Sequence, residues 1–416
     1  MLRIAIAAAA IAGSASGQTA QEVADWLIAL KARLDYKPPT ADAIANARNL
    51  DFNRPDEAAI KAADFAKLKA MPKLGNLNLY PFATDAIVAE VVKAAPRLTD
   101  LGLHHTKVTD AAMAEVAKLG EMRRLTVFNT GLGAPGMAHL TKAPKLSDLT
   151  ISTTPGGDAA LEALVPAPAL DSLTYTDAPA LTRKGWAALG AMPKLRSLVI
   201  STKGDIGEEI EALGASKSLA SLSMMNAKLG DAGGVKLAAV KSLRSLYLWR
   251  TAVGDPTVAA VAALPALGTL YLDRTKVTDA GIKSLAAAKE LATLWIGETA
   301  VTGTGFEAFA DHAKLAWIRA DKAKIDDKGV AAIAKVKSLT SLSLAGTEIT
   351  DSGLVALAGH AKLNSLDLSE TGIGDAGIAH LANVTTLARL SVRKAKVTDA
   401  GIAKLKEALP KLQVSK

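Results

Sequence analysis

The chain of 416 residues contains no cysteine, only 4% aromatic residues, and no charge-free apolar run of the roughly 20 residues that a membrane-spanning helix needs. Each absence removes a class of protein. Without cysteine there is no disulfide framework, no thiolate metal site, no cysteine nucleophile and no thiol to carry a lipid anchor. Stability has to come from packing alone. No H-E-x-x-H, phosphate loop or G-x-S-x-G elbow is present, and the six histidines are scattered apart from adjacent His104 and His105. Those two leave opposite sides of a strand or turn, which suits a solvated turn better than a metal site. No cofactor is implied. The net charge of +8 raises nucleic acid as a partner without implying it.

What is present begins with MLRIAIAAAAIAGSASG. Arg3, a short apolar stretch and a run of small residues predict a signal peptide over residues 1–17, with a buried N-terminal helix as the structural alternative. The expected location is therefore exported, periplasmic or extracellular. Residues 18–73 are atypical and read as a helical N-terminal cap. A helix is expected from Gln18 to Leu34 and others over about 40–46 and 56–71, with Leu50 and Phe52 in a degenerate first strand. Trp26 is expected to pack against the first repeat.

From residue 74 to 416 one frame recurs, seen most clearly in residues 267–290, LGTLYLDRTKVTDAGIKSLAAAKE. Leu267, Leu270 and Leu272 form a short apolar alternation, then Thr278-Asp279 opens a helix carrying Ile282 and Leu285. The leading position returns fourteen times between Leu74 and Leu387, in steps of 24 residues with a step of 25 at Leu195. Each unit reads L-x-x-L-x-L, a polar turn, a small residue that is often Thr, an aliphatic residue, then Thr/Gly-Asp. The recurring Asp is expected to cap its own helix rather than bind calcium. Gly281, Gly329, Gly353, Gly377 and Gly401 are expected to relieve crowding in the first helical turn. The least regular units, from Leu146 to Leu219, predict local distortion of the helical side rather than a domain boundary.

This frame resembles the leucine-rich repeat family. T-x-V-T-D-x-G-I is most similar to its cysteine-containing class with Thr in the Cys/Asn slot, and to exported bacterial repeat proteins. The resemblance implies an α/β leucine-rich repeat solenoid of about 14 repeats, with a curved parallel β-sheet on the concave face and α-helices on the convex face. It also implies binding as the general function. Thr in the turn can still satisfy backbone groups through its hydroxyl, whereas Ala178, Ala227, Ala323 and Ala395 cannot.

Strand side chains alternate, so positions two, four and six after each leading leucine face the concavity and the seventh lies at its edge. Eight basic and eight acidic residues occupy these columns, a neutral face unlike the one-signed groove that nucleic acid selects. Tyr247, Trp249, Tyr271, Trp295 and Trp317 all fall there in four consecutive units, with Arg250, Asp273, Arg274, Glu298 and Arg319 around them. Tyr247, Tyr271 and Trp295 share one column and are expected to stack about 5 Å apart. Exposed Tyr, Trp and Arg together make binding hot spots; a purely structural aromatic ladder is the alternative. The sequence thus points to a non-catalytic scaffold for a protein or peptide ligand. Carbohydrate recognition by the same rings is a second reading, and a hydrolase using Asp273 and Glu298 a weaker third.

Overall fold

The computed structural model describes residues 19–52, 55 and 60–416. The signal-peptide reading of residues 1–17 lies outside the described residues. The chain divides into two compact units, Met1–Thr174 and Tyr175–Lys416.

In the first unit a helix over Ala20–Ala29 is opened by Thr19, whose hydroxyl accepts the Glu22 N–H while the Glu22 carboxylate takes the Thr19 N–H. The helix stops well before Leu34. Left-handed backbone at Lys31, Asp35 and Tyr36 turns the chain, and Ala32–Leu34 becomes a strand antiparallel to Asn49–Phe52. Leu34 is therefore buried through a sheet, not a helix. Asn49–Phe52 is the expected degenerate first strand, and it pairs in parallel with Asn76–Asn78. Asp100–His104, Arg124–Phe128 and Asp148–Ser152 continue that ladder. Between the first two strands lies a short helix, Ala41–Ile44, and a 3-10 helix covers Ala62–Ala70. Trp26 packs edge-on against Phe65 at 5.5 Å, within the N-terminal segment itself, and Phe65 in turn meets Phe82 of the first repeat at 6.0 Å.

In the second unit, parallel strands from Ser197–Thr202 to Gln413–Ser415 pair one after another, each shifted 24 residues from its neighbour. Most are three residues long. A helical segment follows each but the last, because parallel neighbours require a crossover. These segments are α in some repeats, as at Asp279–Leu285, and 3-10 in others, as at Thr304–Phe309 and Asp351–Leu357. The irregular sequence between residues 146 and 219 leaves its helices Gly157–Leu164 and Arg183–Ala191 intact and carries a seven-residue strand, Ser172–Ala178. The division between the two compact units falls within that strand.

Three devices hold the repeats together. Leu267, Leu270, Leu272, Val277, Ile282 and Leu285 are all fully buried, so the apolar frame is the core. At the strand exit, Arg250, Arg274, Glu298, Lys322, Glu370 and Lys394 take left-handed backbone (φ 53 to 59°), which turns the chain into the loop. The buried threonine that follows closes the turn: Thr251, Thr275, Thr299, Thr347 and Thr371 each donate to the carbonyl three residues earlier at 2.6–2.7 Å.

The third device corrects the expected role of the aspartates. The N-cap of Asp279–Leu285 is Thr278, whose hydroxyl accepts the Ala280 N–H. The aspartate is the first helical residue, and its carboxylate reaches the next repeat. Asp255 accepts the Thr278 N–H, Asp279 the Thr302 N–H, Asp327 the Thr350 N–H and Asp375 the Thr398 N–H, at 2.7–2.8 Å. The glycine two residues later makes room for that carboxylate. A Cβ at Gly281, Gly353, Gly377 or Gly401 would stand 2.2–2.4 Å from an Asp oxygen of the preceding repeat. Aspartate and glycine thus form a ladder between repeats.

Candidate binding site: an aromatic row in the second unit

The row is built by register. Tyr247 pairs with Tyr271, Tyr271 with Trp295 and Trp295 with Arg319, while Leu246, Leu270, Leu294 and Ile318 beside them point into the core. Alternation along the strand therefore puts every ring on the face away from the helices. Tyr271 and Trp295 lie face to face, with centroids 3.8 Å apart and planes within 4°. Tyr247 meets Tyr271 at right angles at 4.8 Å, and Trp317, 41% exposed, meets Trp295 at 5.5 Å. The Arg319 guanidinium lies over Trp295 at 4.7 Å and Arg250 over Trp249 at 5.8 Å. The inner rings stand like slats, with their faces covered by neighbours.

Most charges in the row are matched. Arg274 binds Glu298 at 2.7 Å and Arg319 binds Asp321 at 2.6 Å. The hydrogen bond to Asp321 keeps the Arg319 pKa raised against the lowering effect of burial. Asp273 differs: its carboxylate accepts the Gly297 N–H at 3.1 Å, and burial pushes its pKa above the usual carboxylate value although Arg319 pulls the other way. Burial also raises the Tyr271 pKa, helped by Tyr247 and Asp273. The Trp295 indole N–H is buried with no acceptor among the described residues.

A pocket of about 450 Å³ opens on the row. Tyr247, Trp249, Tyr271, Asp273, Arg274, Trp295, Glu298 and Arg319 line it; of the residues singled out in the sequence, Arg250 and Trp317 stand outside the lining. Met225, 37% exposed, lines it too and was missed. The signal was available, because Met225 occupies the column of Trp249 one repeat earlier.

The first unit shows two smaller ring contacts. His104 packs on Phe128 at 4.7 Å and His105 on Tyr80 at 5.6 Å, so the adjacent histidines diverge. Burial, then the neighbouring His105, lowers the His104 pKa. A pocket of about 530 Å³ in the same unit is lined by Arg48, Lys73, Arg97 and Arg124, the last held by Asp100. The sequence columns did not foresee it, since Arg48 lies in the N-terminal segment and Arg97 precedes a leading leucine. Among the described residues no three His, Cys, Asp or Glu side chains group to hold a metal, and no helix is long and apolar enough to cross a membrane.

Parallel strands in a 24-residue register, each followed by a helical crossover over a leucine core, define an α/β repeat solenoid. Residues 337–358 and 359–382 each match the family described as Leucine Rich repeat. The fold is that of a leucine-rich repeat solenoid. Among solved structures, a leucine-rich repeat protein of Leptospira interrogans is similar at 16% identity and a TM-score of 0.54, over 84% of this chain and 92% of that one. An internalin (InlF) from Listeria monocytogenes is similar at 20% identity and a TM-score of 0.43, over 96% of this chain and 95% of that one. No curated protein matches the sequence.

Proposed function

We propose that the protein is a non-catalytic, exported scaffold that grips a protein or peptide through the aromatic row of its second unit. The observation that carries this reading is the pocket over Tyr247, Trp249, Tyr271 and Trp295. In a chain with 4% aromatic residues, this concentration of half-exposed rings is not needed by the leucine frame. Rings held rigid by stacking give large contact area with little entropy to lose on binding.

The covered ring faces favour a polypeptide over a sugar. A sugar platform needs a free aromatic face, whereas Trp295 lies between Tyr271 and Arg319. Edges and polar tips remain, and these suit side chains and peptide groups. The hydrolase reading weakens because Glu298 is tied to Arg274, which leaves Asp273 without a second free carboxylate in the pocket. Ion pairing along the row also disfavours a polyphosphate partner. Export rests on the sequence of residues 1–17, and the organisation we propose is signal peptide 1–17, cap 18–73 and solenoid 74–416.

The test compares capture from the producing cell's secreted and periplasmic proteins by the wild-type chain and by a Tyr271→Ser/Trp295→Ser variant, alongside a glycan array. A protein retained by the wild type and lost by the folded variant supports the proposal. Selective glycan binding lost in the same variant would replace it with the carbohydrate reading.

A further inference from the structure

Four charged side chains line the pocket on the aromatic row: Asp273, Arg274, Glu298 and Arg319. Arg274 and Glu298 neutralise each other at 2.7 Å, and Arg319 is neutralised by Asp321 at 2.6 Å. Asp273 alone of the four has no ion-pair partner within 4.0 Å among the described residues. Its carboxylate takes backbone N–H groups from Gly297 and from its own residue, and its remaining acceptor capacity faces a half-buried setting. The four lining charges cancel in sum. Asp273 is nonetheless the one lining carboxylate without a paired cation, since Arg319, which still attracts it, is bound to Asp321 outside the lining.

The surroundings of Asp273 point the same way. Trp249 occupies its column one repeat earlier, and the Arg250 N–H bonds the Asp273 carbonyl, which places the two repeats side by side. Tyr247, Tyr271 and Trp295 complete the wall together with Met225. With their faces covered, the rings offer edges and polar tips beside a carboxylate that lacks a paired cation, a setting that suits the methylene stem and charged head of a lysine or arginine side chain. An anionic ligand would meet guanidinium groups already saturated by carboxylates, and Asp273 would repel it.

We propose that this pocket receives a cationic side chain, lysine or arginine, of the bound polypeptide, with Asp273 as its counter-ion and Trp249, Tyr271 and Trp295 as its aromatic walls. The inference rests on the reading of the row as a peptide-binding surface. It adds the chemistry of the group that enters, and with it a source of specificity. Burial holds the Asp273 pKa up although Arg319 pulls it down, and an entering ammonium or guanidinium stabilises the carboxylate further.

The probe is a phage-displayed library of random peptides panned against the full chain, with enriched peptides then synthesised and titrated by calorimetry. The expected result is a lysine or arginine at a shared position. Replacing it by norleucine or citrulline should weaken binding to the wild type by about tenfold or more. Asp273→Asn keeps an oxygen for the Gly297 N–H and should weaken the parent peptide similarly while no longer distinguishing it from the neutral analogue. The peptide-side substitution reports on the wild type even if that variant folds poorly. Enriched peptides that need Tyr271 and Trp295 but carry no shared cation overturn this inference and leave the peptide-binding reading standing. Enrichment of no peptide, or of peptides indifferent to Tyr271→Ser/Trp295→Ser, overturns both.

Discussion

The main aromatic clusters of the two units take opposite sides of the frame. In the first, Phe52, Phe65 and Phe82 are buried and meet one another and Trp26 at 5.1–6.1 Å, filling the N-terminal end of the core. In the second, Tyr247, Trp249, Tyr271 and Trp295 stand half-exposed on the face away from the helices. Phe has no polar atom to keep in water, while Tyr and Trp carry one. Residue type does not settle the matter, however. Tyr175 and Trp186 of the second unit are buried as completely as Phe65. The column and face of the repeat decide where a ring goes, and the difference between the clusters is one of position in the frame.

The largest test of that contrast is Phe65→Ala, which empties a fully buried site and should cost about 3–5 kcal/mol in denaturant unfolding. Tyr271→Ser removes a ring of similar size from the open face and should cost no more than about 0.5–1.5 kcal/mol, the worth of its stacking. Equal losses would make the row a structural ladder.

Gly377→Ala tests the ladder between repeats. That ladder recurs in the first unit, where Asp110 accepts the Gly133 N–H and a Cβ at Gly136 would stand 2.4 Å from its carboxylate. The Cβ added at Gly377 would stand 2.3 Å from the Asp351 carboxylate, and a loss of about 1–3 kcal/mol is expected. Gly120, with open space around it, serves as the matched control from the first unit, where Ala should be neutral or slightly stabilising. A neutral Gly377→Ala would show that the carboxylate is not held there.

The smallest effects separate two aspartates of a single repeat by pH. Asp279 is buried enough to raise its pKa, but N–H groups of Gly305, Thr302 and Gly303 and the Thr302 hydroxyl outweigh this and lower it. Its contribution is present above the ordinary carboxylate pKa and lost as pH falls through the folded value. Asp273, whose pKa is raised, does the reverse: its contribution is present below the ordinary value and lost as pH rises through the folded one. Asp279→Asn should therefore lower the urea midpoint at neutral pH, and Asp273→Asn should raise it, with both differences shrinking as the pH is lowered into the acid range. Shifts of the same sign at neutral pH would contradict the assignment.

Much of this was legible in the chain. Period and phase placed Leu267, Leu270 and Leu272 in the core, the threonine hydroxyls in the turn, and Tyr247, Tyr271 and Trp295 in one column. Other features were not. The helix expected to run to Leu34 ends at Ala29, because left-handed turns at Lys31 and Asp35 let the chain pair as a strand instead. The aspartates looked like local caps because a helix N-terminus is the nearest donor in sequence. Their actual donors lie about one period away and become neighbours only when repeats stack.

The sequence alone determined the repeat, the identity of the core residues and the existence of an aromatic column, since a period of 24 residues with alternating burial leaves no other phase. The tertiary structure alone decided how that column presents itself. Strand spacing and rotamer packing turned Tyr271 and Trp295 face to face, laid Arg319 over the outer ring and matched every lining charge but Asp273. Those outcomes depend on contacts between side chains a full repeat apart, and a linear pattern can name the participants without fixing which of them pair.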